Sequence, residues 1–272
     1  MKPHRIILLN LFILTLLLSG CEQGVSASSE SLKGQEIMDL SNLQVKRIFF
    51  GHQSVGENIL HGVELYDDKS ILKIDHIKDK PVEDYAVTGI LHRRVGRNND
   101  PETKIDDFVN VIEKELQGKI DIAFLKLCYV DITSNRDVDA LFSYYKTKMD
   151  HLKEKYPEVT FVHLTSPLTN NAETWKTKLK SLLGKDDIWE YANNIKRNEY
   201  NQLLLNEYLG KEPVFDVAKV EATSLSGQTV SFNYKGNQYL ALADELTSDG
   251  GHLNDAGSLK VATELLHYLN SL

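Results

Sequence analysis

Ile120–Cys128 reads IDIAFLKLC, an apolar run broken only by Asp121 and Lys126. A strand of that composition is buried on both faces, which is the habit of parallel sheets covered by helices above and below. The rest of the chain supplies the partners such a sheet needs. Val45–Gly51 (VKRIFFG), Leu72–Ile77 (LKIDHI), Val159–Pro167 (VTFVHLTSP) and the segment PVFDVAKVEA (Pro213–Ala222) read as further strands. Between them apolar residues recur at helical spacing. One set is Val55, Ile59, Leu60 and Val63. A second is Ile105, Phe108, Val109, Ile112 and Leu116, opened by Asp100 as N-cap and Pro101 in the first turn. Val138, Leu141, Phe142, Tyr145, Met149 and Leu152 form a third, and Tyr191, Ile195, Tyr200 and Leu204 a fourth. Val261, Leu265, Leu269 and Leu272 close the chain. Strands alternating with helices predict an α/β fold, a three-layer α/β/α sandwich around a mostly parallel sheet.

The first residues stand apart from this pattern. Lys2 and Arg5 precede an apolar stretch from Ile6 to Leu18, and small residues lead to Cys21. That is a signal peptide, residues 1–20, shorter than a comfortable span of about 20 apolar residues. The ending LLSGC resembles the lipobox of bacterial lipoproteins, which implies lipidation of Cys21 and an exported, membrane-tethered protein. Residues 21–39 are polar and rich in Ser and Gly, as a flexible tether is. Residues 40–272 are then a single domain of ordinary size.

Loss of the leader with Lys2 and Arg5 takes the formal charge from −8 to about −10. So acidic a body argues against nucleic acid as a partner. Cys128 is the only cysteine besides Cys21, so with Cys21 lipidated neither an intrachain disulfide nor a cysteine zinc site is expected. His52, His76, Asp131 and Asp249 are metal-capable, but no HExxH-type spacing is present and no metal is expected. No cofactor is called for, and nothing in the chain specifies an oligomeric state.

In open parallel sheets function gathers outside the carboxyl ends of the strands. The groups there are Gly51-His52-Gln53-Ser54, Cys128-Tyr129-Val130-Asp131, Thr165-Ser166-Pro167 and Asp216. A serine nucleophile needs a base, and the base an orienting group. Of the nine histidines, His252 has the most informative surroundings, TSDGGHLNDAG. Asp249 stands three residues before it. The intervening glycines permit a turn that brings the carboxylate to the imidazole, just ahead of the last helix, capped by Asn254 or Asp255. His76 is placed at a strand end and His92 in a loop. His52, Gln53, Tyr129, Asp131 and Arg97 are candidates to line the site, although for His52 packing or hydrogen-bonding that holds the Ser54 turn is the preferred role. Arg93, Arg94 and Arg97 form a basic cluster suited to a substrate carboxylate or to solvent. Lys126 needs a partner if buried, with Asp131, Asp121 or a site carboxylate as candidates, the alternative being a strand end open to solvent.

Ser54 after the first strand in GHQSVG, and Asp-x-x-His before the last helix in DGGHLN, are similar to the SGNH/GDSL hydrolase superfamily. The resemblance spans about Val45 to Leu272. It implies a flavodoxin-like sandwich, with Ser54 as nucleophile, His252 as base and Asp249 orienting it. The family completes its oxyanion hole with a glycine amide and an asparagine side chain. RRVGRNNDP offers Gly96 with Asn98 or Asn99, and Asn98 is the preferred donor. Two departures stand out. His52-Gln53-Ser54 replaces the usual Gly-Asp-Ser, and the strand end LKLCYVDI has no asparagine. Two functions follow as expectations. One is a serine esterase that hydrolyses or transfers a small acyl group, an O-acetyl on a carbohydrate above all. The other is a catalytically inactive lipoprotein that binds glycans. Expected partners are an acylated small molecule or glycan and, through the lipid, a membrane.

Overall fold

The computed structural model describes residues 38–77, 88–171 and 189–272. The strand Arg47–His52 (β1) turns Ile48 and Phe50 into one apolar layer and Phe49 into another, by the two-residue alternation of extended chain. β2 (Ile74–His76), β3 (Gly89–Arg94), β4 (Ile122–Leu125), β5 (Thr160–Leu164) and β6 (Val214–Phe215) join it in the order β2-β3-β1-β4-β5-β6. Every neighbouring pair is parallel.

The helices are α1 (Ser41–Gln44), α2 (Ser54–Tyr66), α3 (Pro101–Asn110), α4 (Val138–Lys155), α5 (Trp189–Tyr208), α6 (Val217–Glu221) and α7 (Asp255–Asn270). Leu43 of α1, Val55, Ile59 and Val63 of α2, Val217 of α6 and Val261, Leu265 and Leu269 of α7 cover the Phe50 face. Ile105 and Phe108 of α3, Leu141, Tyr145 and Met149 of α4, and Tyr200 and Leu204 of α5 cover the Phe49 face. The result is the three-layer α/β/α sandwich, and Ile37–Leu272 form one compact unit. Residues 1–37, which carry the expected signal peptide, Cys21 and most of the tether, lie outside the described residues. Among the described residues no helix is long and apolar enough to cross a membrane.

β1 lies centrally. The helix that leaves it, α2, covers one face of the sheet, whereas α4, which follows β4, covers the other. The carboxyl ends of β1 and β4 therefore border a topological switch point, where a crevice must open. Ser54 follows β1, and Tyr129 opens a short 3₁₀ turn, Tyr129–Asp131, after β4.

Two expectations are corrected, and one element is added. Gly89–Arg94, taken as a loop carrying His92, is a strand of the sheet, paired with β1 and β2. Its polar half, His92-Arg93-Arg94, hides the apolar signal of Ile90 and Leu91. Pro213–Ala222 is a strand only at Val214–Phe215, because Asp216 accepts the Lys219 N–H and caps α6. Ser231–Tyr234 (β7) and Asn237–Leu240 (β8), not anticipated, form an antiparallel hairpin. Its turn residues Lys235 and Gly236 both have positive φ, 48° and 81°, as a two-residue hairpin turn requires.

Candidate active site

Ser54 is the first residue of α2, where the N–H groups have no acceptor within the helix and the dipole is positive. The glycines around it serve close packing. A Cβ on Gly51 would stand 2.7 Å from the ring of Phe108, and one on Gly56 would overlap the His52 side chain. The turn that presents Ser54 is thus clamped between α3 on one side and His52 on the other.

From the far end of the chain, the loop before α7 folds back on its own carboxylate. Asp249 Oδ1 accepts the N–H groups of Gly251 (2.9 Å) and His252 (2.7 Å). The Thr247 hydroxyl accepts the Gly250 N–H at 3.0 Å and donates to the His252 carbonyl at 2.6 Å. Gly250 adopts φ 90°, open to glycine at no steric cost. Gly251 is needed for another reason, since a Cβ there would lie 2.7 Å from the Tyr129 ring. In this loop the His252 Nδ1–H donates to Asp249 Oδ2 at 2.6 Å, and Nε2 faces Ser54 Oγ at 3.0 Å. With Nδ1 carrying the proton, Nε2 is the acceptor for the serine hydroxyl. The hydrogen bond from His252 and the two amides hold the Asp249 carboxyl at about 2, so it is ionised throughout the neutral range. Tyr129 packs edge-on against the imidazole, centroids 5.6 Å apart.

The other expected site residues divide. Gly96 is not an oxyanion donor: its N–H donates to Asp107 Oδ2 at 2.9 Å. Its φ of 55° and the backbone of Lys104 against it explain the glycine. Asn98 keeps a donor free. Its Oδ1 accepts from Lys104 Nζ at 2.8 Å, so the amide is oriented and Nδ2 has no partner among the described residues. Gln53 does not line the site; its Nε2 donates to the carbonyls of Val95 (2.8 Å) and Gly96 (3.0 Å). It thereby ties the Asn98 loop to the residue preceding Ser54.

His52 packs in the interior behind the Ser54 turn, as preferred from the sequence, and does not stand at the site mouth; its Nδ1 lies 2.9 Å from the Gln53 carbonyl. It is fully buried, with Nε2 3.0 Å from His92 Nδ1, and burial pushes it down to about 3. Asp131 lies beneath the loop rather than in the crevice. It pairs with Lys104 Nζ at 2.6 Å, both side chains fully buried, and accepts the N–H groups of Asn99 and Cys128. Lys126, for which Asp131 and Asp121 were the expected partners, has neither. Asp121 pairs with Arg47, while Lys126 Nζ sits 3.4 Å from the Leu127 carbonyl. Arg97 pairs with Asp100, Arg94 with Glu57 and Arg93 with Glu115, so the basic cluster is committed to its own acids.

Beside Asp249 a cavity of about 390 Å³ opens between Tyr129, Asn99, Thr133, Thr169, Asn193 and Arg197. A hollow of similar size between Val63, Asp67 and Ile90 touches no member of the Ser54 group. Sequence reasoning passed over Lys104 and Arg197. Each carries a signal: Lys104 shares a helical face with Pro101, Ile105 and Phe108, and Arg197 shares one with Tyr200 and Leu204. A cation on an apolar stripe marks a buried charge.

No protein-family model matches the chain, and no curated protein matches it. Solved structures do. A candidate SGNH hydrolase from Slackia heliotrinireducens aligns over 83% of this chain and 99% of its own, at 14% identity and a TM-score of 0.47. The periplasmic domain of a lipopolysaccharide acetyltransferase from Salmonella ser. Paratyphi A aligns over 90% of this chain and 98% of its own, at 13% identity and a TM-score of 0.44. A carbohydrate esterase of family 3 from Talaromyces cellulolyticus covers 83% and 95%, at 13% identity and a TM-score of 0.44.

Proposed function

We propose that this chain is a serine esterase of the SGNH type, acting on a small acyl group carried by an oxygen ester, with an O-acetylated carbohydrate as the preferred substrate. One observation carries the reading: His252 bridges Ser54 Oγ at 3.0 Å and Asp249 Oδ2 at 2.6 Å, in the tautomer that makes it a base toward the serine. Ser54 Oγ attacks the ester carbonyl while Nε2 takes its proton. The tetrahedral intermediate collapses as that proton passes to the leaving alcohol. Water, deprotonated by the same nitrogen, then cleaves the acyl-enzyme to the carboxylic acid and free Ser54. A second alcohol in place of water turns hydrolysis into transfer. The Ser54 N–H and Asn98 Nδ2 are the donors assigned to the oxyanion. The carbohydrate preference draws on the hydroxyl and amide lining of the cavity, Asn99, Thr133, Thr169, Asn170 and Asn193. The chain works as an exported protein tethered through Cys21.

Acetate release from a panel of acetylated glycans and simple acetate esters tests the reaction, with Ser54→Ala as control. Turnover that vanishes in Ser54→Ala supports the esterase. Glycan binding with no turnover on any ester would make it a binding protein instead. Cys21→Ser should move the protein from the membrane fraction to the soluble one; retention in the membrane would sink the anchor.

A further inference from the structure

Seven arginines occur in the chain, and six lie among the described residues. Five of the six face a carboxylate: Arg47, Arg93, Arg94, Arg97 and Arg136 pair with Asp121, Glu115, Glu57, Asp100 and Glu102. Arg197 is the exception. It is 3% exposed, on α5, and lines the cavity beside Asp249. Its Nε donates to the Tyr129 carbonyl at 2.9 Å, and Nη1 to Thr169 Oγ1 and Asn194 Oδ1 at 2.8 Å each. All three acceptors are neutral. Nη2 has no partner among the described residues, and no carboxylate there comes within ion-pair distance.

A guanidinium so placed is costly unless something compensates it. Burial lowers its pKa to about 10, which leaves it charged at neutral pH. Glu221 is the acid whose field reaches it, but the two make no ion pair, and burial pushes that carboxyl up to about 8. The Tyr129 ring lies 5.6 Å from the guanidinium carbon and restrains it without neutralising it. Further donors converge on the same cavity. Asn193 spends its Oδ1 on the Ser134 N–H, which leaves Nδ2 to donate. Asn99 is pinned at φ 65° by Asp131, and its side-chain amide is unpaired among the described residues.

The geometry points to a carboxylate subsite: Arg197 Nη2, with Asn193 and Asn99, receives a carboxylate of the substrate in the cavity next to Asp249. This deepens the esterase reading and rests on it for the identity of the reacting ester. The carboxylate has two sources, an acetylated sugar acid with the charge on the alcohol side or a dicarboxylic hemiester with the charge on the acyl side.

The test has two readouts on the full chain. For binding, the Ser54→Ala protein is titrated calorimetrically with glucuronate and with the neutral methyl glucoside. Glucuronate should bind about tenfold tighter or more, as a charge-assisted hydrogen bond supplies. The preference should shrink as salt rises and fall toward unity in Arg197→Gln. Arg197→Lys, which retains the charge without the fork, should fall between and serves if the glutamine variant does not fold. For turnover, kcat/KM is compared within two pairs: acetylated glucuronate against acetylated methyl glucoside, and 4-nitrophenyl hemisuccinate against 4-nitrophenyl acetate. The pair showing a charged-to-neutral ratio of about ten or more identifies the side that carries the carboxylate, and Arg197→Lys should lower that ratio. Glucuronate preference without turnover of any ester would uphold the subsite and overturn the esterase. Turnover with ratios near unity in both pairs, and no binding preference, would overturn the subsite alone.

Discussion

At the residue scale the Ser54–His252–Asp249 group behaves as one device or not at all. Asp249→Asn leaves the loop its amide acceptor but removes the charge that fixes the imidazole tautomer. Turnover should fall by up to about 10⁴ with the fold intact, measured as kcat against a far-ultraviolet spectrum. Adding Ser54→Ala should cost little beyond Ser54→Ala alone, because the residues act as a unit. Asn98 makes a different prediction. Its amide is held by Lys104, so Asn98→Ala should lower kcat by about a hundredfold with little change in KM, as a donor specific to the transition state does. Unchanged turnover in Asn98→Ala would leave the second oxyanion donor unassigned.

At the scale of elements, the loop that carries Asn98 stands on a buried ion pair. Lys104 of α3 and Asp131 of the 3₁₀ turn after β4 are both sealed from solvent, and between them they hold Asn98 and Asn99. Removing one partner strands the other charge, so Lys104→Met should destabilise by about 3–5 kcal/mol. Lys104→Met with Asp131→Leu should recover part of that in urea unfolding while losing activity, because the loop loses its anchor. A comparable constraint governs the contact of α2 with α7. A Cβ on Gly62 would overlap the Ser258 carbonyl, so Gly62→Ala forces the two helices apart. The cost should be about 1–3 kcal/mol, readable as a lower denaturation midpoint.

At the scale of the molecule, buried titratable groups set the pH range of stability. Burial pushes His52 to about 3, and His92 and His163 to about 4. The unfolded chain takes up these protons first as pH falls below the ordinary histidine value of about 6.5. Stability from the three imidazoles is therefore complete above that value and is lost on descent toward about 4 and 3. Glu221 acts in the opposite direction. Its carboxyl, raised from 4.5 to about 8, stays protonated in the fold where the unfolded chain has ionised, so its contribution is complete below 4.5 and is lost as pH rises to about 8. The melting temperature should peak near about pH 6.5, where the two trends cross. Glu221→Gln should flatten the alkaline limb, and a limb unchanged by that substitution would show that Glu221 is not its cause.

Apolar periodicity by itself determined the layers of this protein, because one face of each helix and both faces of β4 must be hidden whatever the detail. The Asp-x-x-His spacing likewise determined the Asp249–His252 contact, which is local and closes within one turn. Ser54, 198 residues from His252, was legible as a strand-end serine, but its distance to the imidazole was settled only when the sheet brought β1 and the loop before α7 together. The same holds where the residue readings failed. Gly96 looked like a free amide until Asp107 was found to accept from it, and Arg97 looked like an anion site until Asp100 paired with it. Arg197 drew no reading from the sequence, and only the fold buries it without an acid in ion-pair reach. A residue type states which bonds it can make, and only packing decides which partners arrive and which donors are left over.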